Sequence, residues 1–455
     1  MPTQIRRYVG SLGLDAYIVG GAVRDELLGI DHADEDFLVP GVDHAGLRAA
    51  LEPHGRIEDL EVHGQLVGVR FYPRDPAIRA LAPAGLELTP PRREQSVGPG
   101  HRDFEIVADP TVSIVDDMAR RDFTVNAMAK RLETGELVDP FGGRAHLERR
   151  ELHTVGPNSF REDPLRILRG LRLLSQLGFT LTADTLAQMR AEAAGLRHVS
   201  GERIGGGLAA DGMGELSKLL LGTRPAEALR IARDTGVLVE VLPEYGAVIG
   251  HELGSSRQPG PLEEHLFAVI QETADLAAEL SVRLCALLHD LGKPEAHRTG
   301  APDHAQVGAV MAGAIMRRLR YPNALRDEVC RLVAGHAFWL DGPIDGLYAR
   351  RFLASHGIDR ARRLVLHKRA DLHVKRVAPW ELEHLAQLER LLEDERESPH
   401  RLSHLAIDGN DLLAAGYREG PAIGAALARL LDLVVDDPAA NDRDTLLAEA
   451  RRWLP

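Results

Sequence analysis

The chain has 455 residues, of which 44% are hydrophobic and 27% are charged, and its formal net charge is −13. This length exceeds what one hydrophobic core normally organises, so about two to four domains are expected. No apolar run approaches the roughly 18 residues of a membrane-spanning helix, and the start, MPTQIRRYVG, lacks the apolar core of a signal peptide. The only cysteines, Cys285 and Cys330, cannot form a disulfide framework. These features predict a cytoplasmic protein without a membrane partner.

The first 150 residues alternate short β-like runs with amphipathic helical patterns. Strands that end at Gly or Pro are predicted for AYIVGG, DFLVPG, QLVGVRFYP, GLELTPP and GELVDPFGG. Helices are predicted between them, notably for HAGLRAALEP and RRDFTVNAMAKRL. This segment is therefore expected to form an α/β head with a small mixed sheet.

From about residue 160 the strand signals stop, and helical patterns run almost to the C-terminus. The stretch HELGSSRQPGPLEEH, residues 251 to 265, is rich in Gly, Ser and Pro and predicts a linker. A second break lies around DERESPHRLSHLAIDG. We therefore predict an α+β protein with a head at 1–150, an all-helical neck at 151–255, a central helical domain at 256–375 and a helical tail at 376–455.

The turn after the first predicted strand combines features that favour an anion. Gly20 and Gly21 let the backbone approach phosphate oxygens, and the N-terminus of the following helix attracts negative charge. Arg24 lies in the first turn of that helix and can reach the same phosphates. The alternative is a strand-to-helix turn that needs glycine for steric reasons alone.

Paired carboxylates follow this turn. Asp34 and Asp36 are two residues apart, so in a strand they share one face and repel each other unless a cation lies between them. Such pairs are typical of two-metal phosphoryl transfer. The alternative is an acidic loop, because DHADED also contains Asp31 and Glu35. In GLELTPP, Glu87 is a candidate third carboxylate on a neighbouring strand, or simply an exposed strand residue.

An arginine stripe begins the predicted neck helix. In EDPLRILRGLRLL, Asp163 fits an N-cap with Pro164 at the first helical position. Arg166, Arg169 and Arg172 recur every three residues and share one face. The net charge does not exclude a local basic groove of this kind, because affinity depends on where the charges lie. The residues alone fit a solvated arginine stripe equally well.

These motifs together carry a family resemblance. GGAVRDELLG, then DED, then RRDFTVNAMA, then EDPLRILRGLR resemble the class II tRNA nucleotidyltransferase and poly(A) polymerase family in order and content. The resemblance implies that Asp34 and Asp36 hold catalytic Mg²⁺, and that Gly20, Gly21 and Arg24 bind the phosphates of CTP or ATP. Glu87 is the predicted third catalytic carboxylate. The resemblance also implies nucleotide contacts by the neck set, in which Arg121, Asp122 and Asn126 place the nucleotide, Asp163 and Arg166 mimic a pairing base edge, and Arg169 adds a phosphate or base contact.

The central helical region contains a second motif. SVRLCALLHDLGK places His289 and Asp290 near the end of an apolar helix, where a helix-terminal cap would also explain them. With that pair, His265, His304, His336 and Asp371 follow the order seen in HD phosphohydrolases, and imidazoles with carboxylates suit a divalent transition metal or Mg²⁺. The resemblance implies phosphatase or 2′,3′-cyclic phosphodiesterase activity on RNA ends. The alternative is a structural domain that retains its ligands.

The combined prediction is an enzyme that adds CMP and AMP from CTP and ATP to a tRNA 3′ end. Within the same fold, the alternatives are an enzyme that adds only CC or only the final A, and a poly(A) polymerase. From other classes, they are an HD nucleotide phosphohydrolase with a decayed head and a non-catalytic RNA-binding protein. One departure from relatives is GGGLAADGMGE after Ile204, which we interpret as an insertion affecting nucleotide selection. The C-terminal segment LAIDGNDLLAAGYREG resembles that of other bacterial members, which implies a contact with the body of the RNA.

Overall fold

The computed structural model describes residues 3–30, 35–62, 64–96, 104–206, 212–252 and 254–454, with the backbone alone for 62, 93–96 and 104–108. The chain divides into two compact units. The first comprises Met1–Pro243 with Arg318–Tyr321, and the second comprises Glu244–Arg317 with Pro322–Pro455. The four-part division expected from the sequence stays a prediction.

A mixed sheet forms the centre of the head. Its strands are β1 Tyr17–Val19, β2 Asp36–Leu38, β3 Gly55–Val62, β4 Gln65–Pro73, β5 Leu86–Thr89, β8 Ala129–Arg131 and β9 Leu137–Val138. They are arranged in the order β3-β4-β5-β2-β1-β8-β9, and only β2 and β5 pair in parallel. Two short sheets accompany it, formed by β6 Arg92–Ser96 with β7 Phe104–Ala108 and by β10 Glu151–Leu152 with β11 Thr180–Leu181. The predicted mixed sheet is confirmed.

Helices pack around this sheet in the first unit. In the head they are α1 Thr3–Gly10, α2 Gly21–Leu28, α3 His44–Leu51, α4 Pro76–Leu81, α5 Ile114–Ala119 and α6 Gly143–Glu148. In the neck they are α7 Ser159–Glu162, α8 Leu165–Leu177, α9 Ala183–Glu192, α10 Gly201–Ile204, α11 Glu215–Leu220, α12 Pro225–Asp234 and α13 Val237–Val241. The neck is not wholly helical, because β10 and β11 form a short parallel pair within it.

The helix predicted for RRDFTVNAMAKRL is wrong. This stretch instead forms a 3₁₀ turn at Thr124–Asn126 and then strand β8. The reason is tertiary, since β8 pairs antiparallel with β1 and buries Ala129 against Val19 and Leu38. Sheet pairing and burial outweigh the local helical pattern here.

The second unit is helical. Its helices are α14 Leu262–Asp275, α15 Leu280–Leu288, α16 Gly292–Thr299, α17 His304–Arg318, α18 Asn323–Gly335, α19 Gly346–His356, α20 Ile358–Val374, α21 Pro379–Asp394, α22 Gly409–Ala414, α23 Pro421–Asp436 and α24 Arg443–Arg452. Short 3₁₀ turns in the chain occur at Glu52–His54, Ala193–His198, Pro243–Ala247, Leu402–His404 and Pro438–Ala440. The last three helices enclose a small core of their own around Leu412, Leu430 and Leu446. Within the described ranges, no helix is long and apolar enough to cross a bilayer.

Candidate active sites

The turn between β1 and α2 depends on glycine at position 20. Gly20 has φ of 73°, and a Cβ atom there would lie 2.5 Å from Nη1 of Arg121. The left-handed backbone therefore disfavours a larger residue, and a Cβ atom would also displace the end of the Arg121 side chain. From the first turn of α2, Arg24 donates to Oδ1 of Asn126 at 2.8 Å. The turn thus brings the predicted phosphate-binding arginine beside Arg121 and Asn126.

Two carboxylates meet on neighbouring strands of the head sheet. Asp36 is the first residue of β2 and is in direct register with Glu87 of the parallel strand β5. Asp36 is exposed, and Glu87 is half-buried and paired with Arg70 of β4. The predicted partner Asp34 lies outside the described residues. Adjacent oxygen donors of this kind fit Mg²⁺, which prefers carboxylate ligands.

Asp122 is a buried charge that connects the head to the neck. Its carboxylate accepts hydrogen bonds from the Phe123 N–H at 2.8 Å and from Nδ2 of Asn126 at 3.0 Å. Nε of Arg169, on α8, lies 3.2 Å from its second oxygen. Burial raises the pKa of Asp122, but Arg169 and these hydrogen bonds outweigh it and hold the pKa below its usual value. The carboxylate is therefore ionised and fixed.

The base-reading pair predicted in the neck is also held in place. Arg166 is 8% exposed and donates to the Arg120 carbonyl at 2.7 Å and to Oγ of Ser159 at 3.1 Å. Asp163 accepts from the Leu165 N–H at 3.1 Å. The predicted N-cap is off by one residue, because helix α8 begins at Leu165 and its cap residue is Pro164. Asp163 lies one position earlier and is still extended, with φ of −138°.

One cavity of about 490 Å³ gathers the described members of the predicted head and neck set. It is lined by Val19, Gly20, Gly21, Arg24, Asp36, Glu87, Thr89, Arg92, Arg120, Arg121, Asp122, Asn126, Asp163, Arg166, Arg169 and Arg172. Seven of these are arginines and four are carboxylates, so the cavity carries excess positive charge within a chain of net charge −13. Such a lining attracts a polyanion.

Five lining residues were not assigned to the site from the sequence, namely Val19, Thr89, Arg92, Arg120 and Arg172. The three-residue spacing after Arg166 could have identified Arg172. Nε of Arg172 lies 2.9 Å from a carboxylate oxygen of Glu215, the first residue of α11. Burial lowers the pKa of Arg172 and Glu215 opposes that shift.

The predicted glycine-rich insertion closes on itself at its ends. The Gly214 N–H donates to the Gly205 carbonyl at 2.7 Å. A Cβ atom on Gly214 would lie 2.4 Å from the backbone of Ile204, so only glycine allows this approach. Residues 207–211, in the middle of the insertion, are not described. The helical neck therefore resumes at Glu215, beside the point where α10 ends.

A second candidate centre lies in the helical unit. The structure brings together all six residues predicted there, on or beside α14, α15, α17, α18 and α20: His265, His289, Asp290, His304, His336 and Asp371. Five of them are buried, and His304 is 31% exposed at its side chain. Gly292 permits this arrangement, because a Cβ atom there would meet the His304 carbonyl at 2.2 Å.

Asp290 divides its two oxygens between two groups of histidines. Its Oδ2 lies 3.2 Å from Nε2 of His289 and 3.6 Å from Nε2 of His265. Its Oδ1 lies 3.3 Å from Nε2 of His304 and 3.5 Å from Nε2 of His336. Each group of three ligand atoms fits within 4.8 Å. The geometry is suited to two neighbouring ions that share this carboxylate.

Hydrogen bonds to the main chain fix the orientation of two of these rings. Nδ1 of His289 donates to the Ala286 carbonyl at 3.0 Å, and Nδ1 of His336 donates to the Val333 carbonyl at 2.7 Å. In each ring Nε2 therefore keeps its lone pair toward the cluster. Orientation of ligand histidines by such second contacts is usual in metal sites.

The pKa values of His289 and Asp290 are shifted toward the protonation states that a metal requires. Burial lowers the pKa of His289 to about 4. Burial raises the pKa of Asp290, but the neighbouring histidines outweigh it and hold the pKa well below its usual value. Three buried atoms have no hydrogen-bond partner among the described residues: Nε2 of His265, Nε2 of His289 and Oδ1 of Asp371. Oδ2 of Asp290 lies 2.6 Å from Nζ of Lys293. A neutral imidazole at His289, an ionised carboxylate at Asp290 and buried ligand atoms without hydrogen-bond partners fit a divalent ion.

His367 belongs to this cluster and was missed in the sequence. It lies one turn before Asp371 on α20 and is 1% exposed. Its ring centroid is 4.8 Å from that of His289 and 5.9 Å from that of His336. Neither ring nitrogen has a hydrogen-bond partner in the part of the chain that the structure describes. The i, i+4 spacing of HKRAD was the available signal.

Comparison with known proteins agrees with both centres. The chain matches the models of the poly A polymerase head domain at residues 16–153, the probable RNA and SrmB-binding site of polymerase A at 178–248, and the HD domain at 262–399. Together with the fold, these matches define a nucleotidyltransferase that carries an HD domain.

Relatives then give the family. The chain is 34% identical to the multifunctional CCA protein of Xanthomonas euvesicatoria pv. vesicatoria (strain 85-10), over 91% of this chain and 96% of that protein. Its structure resembles that of the Bacillus stearothermophilus CCA-adding enzyme in complex with CTP, with 26% identity, a TM-score of 0.70 and coverage of 99% and 96% of the two chains. The Thermotoga maritima CCA-adding enzyme complexed with tRNA shares the fold at 20% identity and a TM-score of 0.60, over 100% and 94%. The chain belongs to the multifunctional CCA protein family.

The unpaired imidazole of His367 leads to a stability prediction. Leaving a buried polar group unpaired costs about 1–3 kcal/mol, so an apolar side chain of similar size relieves that cost. In metal-free protein, the His367→Leu variant should unfold at a higher temperature than wild type, measured by calorimetry. The matched control is His373→Leu on the same helix, because His373 is partly exposed and bonded to Glu272. A lower unfolding temperature for His367→Leu contradicts the prediction.

Proposed function

We propose that this protein adds CMP and AMP, from CTP and ATP, to the 3′ end of tRNA. The supporting observation is the single cavity in which adjacent carboxylates, Asp36 and Glu87, accompany seven arginines. A nucleoside triphosphate brings negative charge for the arginines, and its divalent ions match the carboxylates. The named activities of the relatives, with CTP and tRNA as ligands of two solved CCA-adding enzymes, support the same substrates.

In the proposed reaction, the tRNA 3′ hydroxyl attacks the α-phosphorus of the bound nucleotide. A new P–O bond forms, the bond to the β-phosphate breaks, and pyrophosphate leaves, so no covalent enzyme intermediate is needed. Asp36, Glu87 and, from the sequence, Asp34 would hold Mg²⁺, which would supply activation of the hydroxyl and neutralisation of the phosphates. Arg24 and Arg121 hold the triphosphate in line. The cytoplasmic location stays a prediction.

Selection of C and A without a template is proposed for Asp163 and Arg166. A guanidinium is planar and rigid, and Arg166 is immobilised by the Arg120 carbonyl and Ser159. A fixed donor beside a fixed acceptor can match one base edge and leave another with unpaired polar groups. Addition of CC only or of A only is the remaining alternative within this family.

For the HD centre we propose hydrolysis of phosphate esters at RNA ends, including 2′,3′-cyclic phosphates. Its imidazole-rich donors admit a transition metal as well as Mg²⁺, which would polarise the phosphoryl group. Nζ of Lys293 lies 2.6 Å from Asp290, and Nζ of Lys375 lies 2.7 Å from Asp371. These ammonium groups can balance the charge of a bound phosphate. The alternative is a structural domain that retains its ligands.

The first test concerns the head carboxylates. Asp36→Ala should lower nucleotide transfer by about a thousandfold or more, because the loss of a metal ligand removes several kcal/mol of transition-state stabilisation. The assay uses tRNAs that end before CCA, after C and after CC, each with CTP, ATP or both, and sequences the products. Glu133→Gln, an exposed head acid, serves as the control. Near-normal transfer by Asp36→Ala in Mg²⁺ would show that the metal assignment is wrong.

The second test concerns base selection. Arg166→Ala should reduce the preference for CTP and ATP over GTP and UTP by about tenfold or more, because a lost base-edge contact discriminates among bases. Affinity for tRNA should stay near that of wild type. Arg161→Ala, an exposed arginine on the adjacent helix α7, is the control. Equal loss with all four nucleotides would instead indicate a phosphate contact.

The third test separates the two centres. A His289→Ala/Asp290→Ala variant should lose 2′,3′-cyclic nucleotide hydrolysis and still extend tRNA, whereas Asp36→Ala should behave in the opposite way. The reason is that each centre has its own ligands. Both activities are measured side by side in Mg²⁺, Mn²⁺, Co²⁺ and Ni²⁺. Loss of both activities in a well-folded HD variant would contradict this independence. If the wild-type protein hydrolyses no cyclic nucleotide in any of these metals, the proposed HD activity is wrong and the domain is structural.

A further inference from the structure

The N-terminal helix α1 contacts the segment that carries the catalytic carboxylates. Nε and Nη2 of Arg6 donate to one carboxylate oxygen of Glu35 at 2.8 and 2.6 Å. Nη1 of Arg6 lies 2.7 Å from Glu26 on α2, and Lys130 of β8 pairs with the same Glu26. Helix α1 precedes residue 16, where the match to the poly A polymerase head domain begins.

Glu35 and Asp36 are consecutive acids in opposite environments. Glu35 is 3% exposed, whereas Asp36 is exposed and lines the nucleotide cavity. The alternative of a simple acidic loop is therefore wrong for Glu35, which is a buried member of an ion pair. A buried carboxylate is tolerated only with a partner, so the pair fixes the chain immediately before β2.

We infer that Arg6 is a positioning residue for nucleotide transfer, acting on Asp36 through Glu35. The pair holds the start of β2, so that Asp36 stays in register with Glu87 and the two carboxylates remain adjacent. The inference rests on the function proposed for the head. Arg6 itself touches neither nucleotide nor metal in this account.

Arg6 could instead act on the metal site only through its charge. A double-mutant cycle of Arg6 and Glu35 distinguishes this electrostatic role from the positioning role. Arg6→Met removes a positive charge and Glu35→Leu removes a negative charge near the metal ligands. If only the local field mattered, the two variants would shift metal affinity in opposite directions. If position matters, both variants weaken metal binding, because each breaks the Arg6–Glu35 pair and leaves one of its two charges without that partner, and the double variant recovers.

The experiment measures two quantities for wild type, both single variants and the double variant. One is the Mg²⁺ concentration that gives half-maximal CMP transfer, and the other is the affinity for Mn²⁺ in the presence of CTP, from electron paramagnetic resonance. Both single variants should need about tenfold more metal, and the double variant should return to within about threefold of wild type. Arg7→Ala, an exposed neighbour on α1, should match wild type.

Opposite shifts of the two single variants would overturn the inference, as would a double variant no better than the weaker single variant. If a single variant fails to fold by circular dichroism, the double variant, which removes both charges of the pair, still decides by its own metal requirement. If wild type transfers no nucleotide, the proposed function fails, while the Mn²⁺ measurement continues to test the positioning role.

Discussion

The pairing of the buried Asp122 carboxylate is the interaction on which the nucleotide cavity depends. A buried charge is strongly unfavourable unless it is paired, and here the partners come from two parts of the chain, Asn126 in the head and Arg169 on α8. Arg166 donates to the carbonyl of Arg120, only two residues before Asp122. Because Arg166 and Arg169 of α8 bind the Arg120 carbonyl and the Asp122 carboxylate, these contacts hold α8 against the head. As a consequence, the proposed base-reading pair and the phosphate-binding turn line the same cavity.

Both centres pair their carboxylates with basic side chains, but only the HD centre adds buried histidines to them. In the head, the charges that surround the cavity are paired within the protein: Asp122 with Arg169, Glu87 with Arg70, and Glu35 with Arg6. In the HD cluster, Asp290 pairs with Lys293 and Asp371 pairs with Lys375. Nε2 of His265 and of His289 and both ring nitrogens of His367 lack hydrogen-bond partners among the described residues. Unsatisfied buried donors destabilise a folded chain, and their concentration at one place is expected where binding of an ion compensates them.

The sequence predicted those parts of the fold whose signals are local. AYIVGG, DFLVPG and QLVGVRFYP formed β1, β2 and β4, because apolar β-branched residues followed by Gly or Pro favour a strand that ends there. The strand β3, GRIEDLEV, was missed, since its acidic residues carry little strand signal and its pairing with β4 supplies the missing stability. The eleven described members of the predicted head and neck set all line one cavity, although their individual roles stay predictions. Arg92 could not be placed, because its position depends on tertiary contacts, and His367 had only its i, i+4 spacing from Asp371 as a signal.

The dependence on tertiary contacts also explains why the sequence reveals a metal ligand but not the residue that holds that ligand in position. Asp36 stands out in the sequence, because its spacing from Asp34 has a chemical meaning without knowledge of the fold. Arg6 has none until the structure places it beside Glu35, 29 residues away. A metal ligand needs a fixed backbone as well as the correct side chain, since a carboxylate displaced by about 1 Å loses much of its catalytic value. Residues that hold the backbone of a ligand are therefore part of the chemistry, even where they contact neither substrate nor ion.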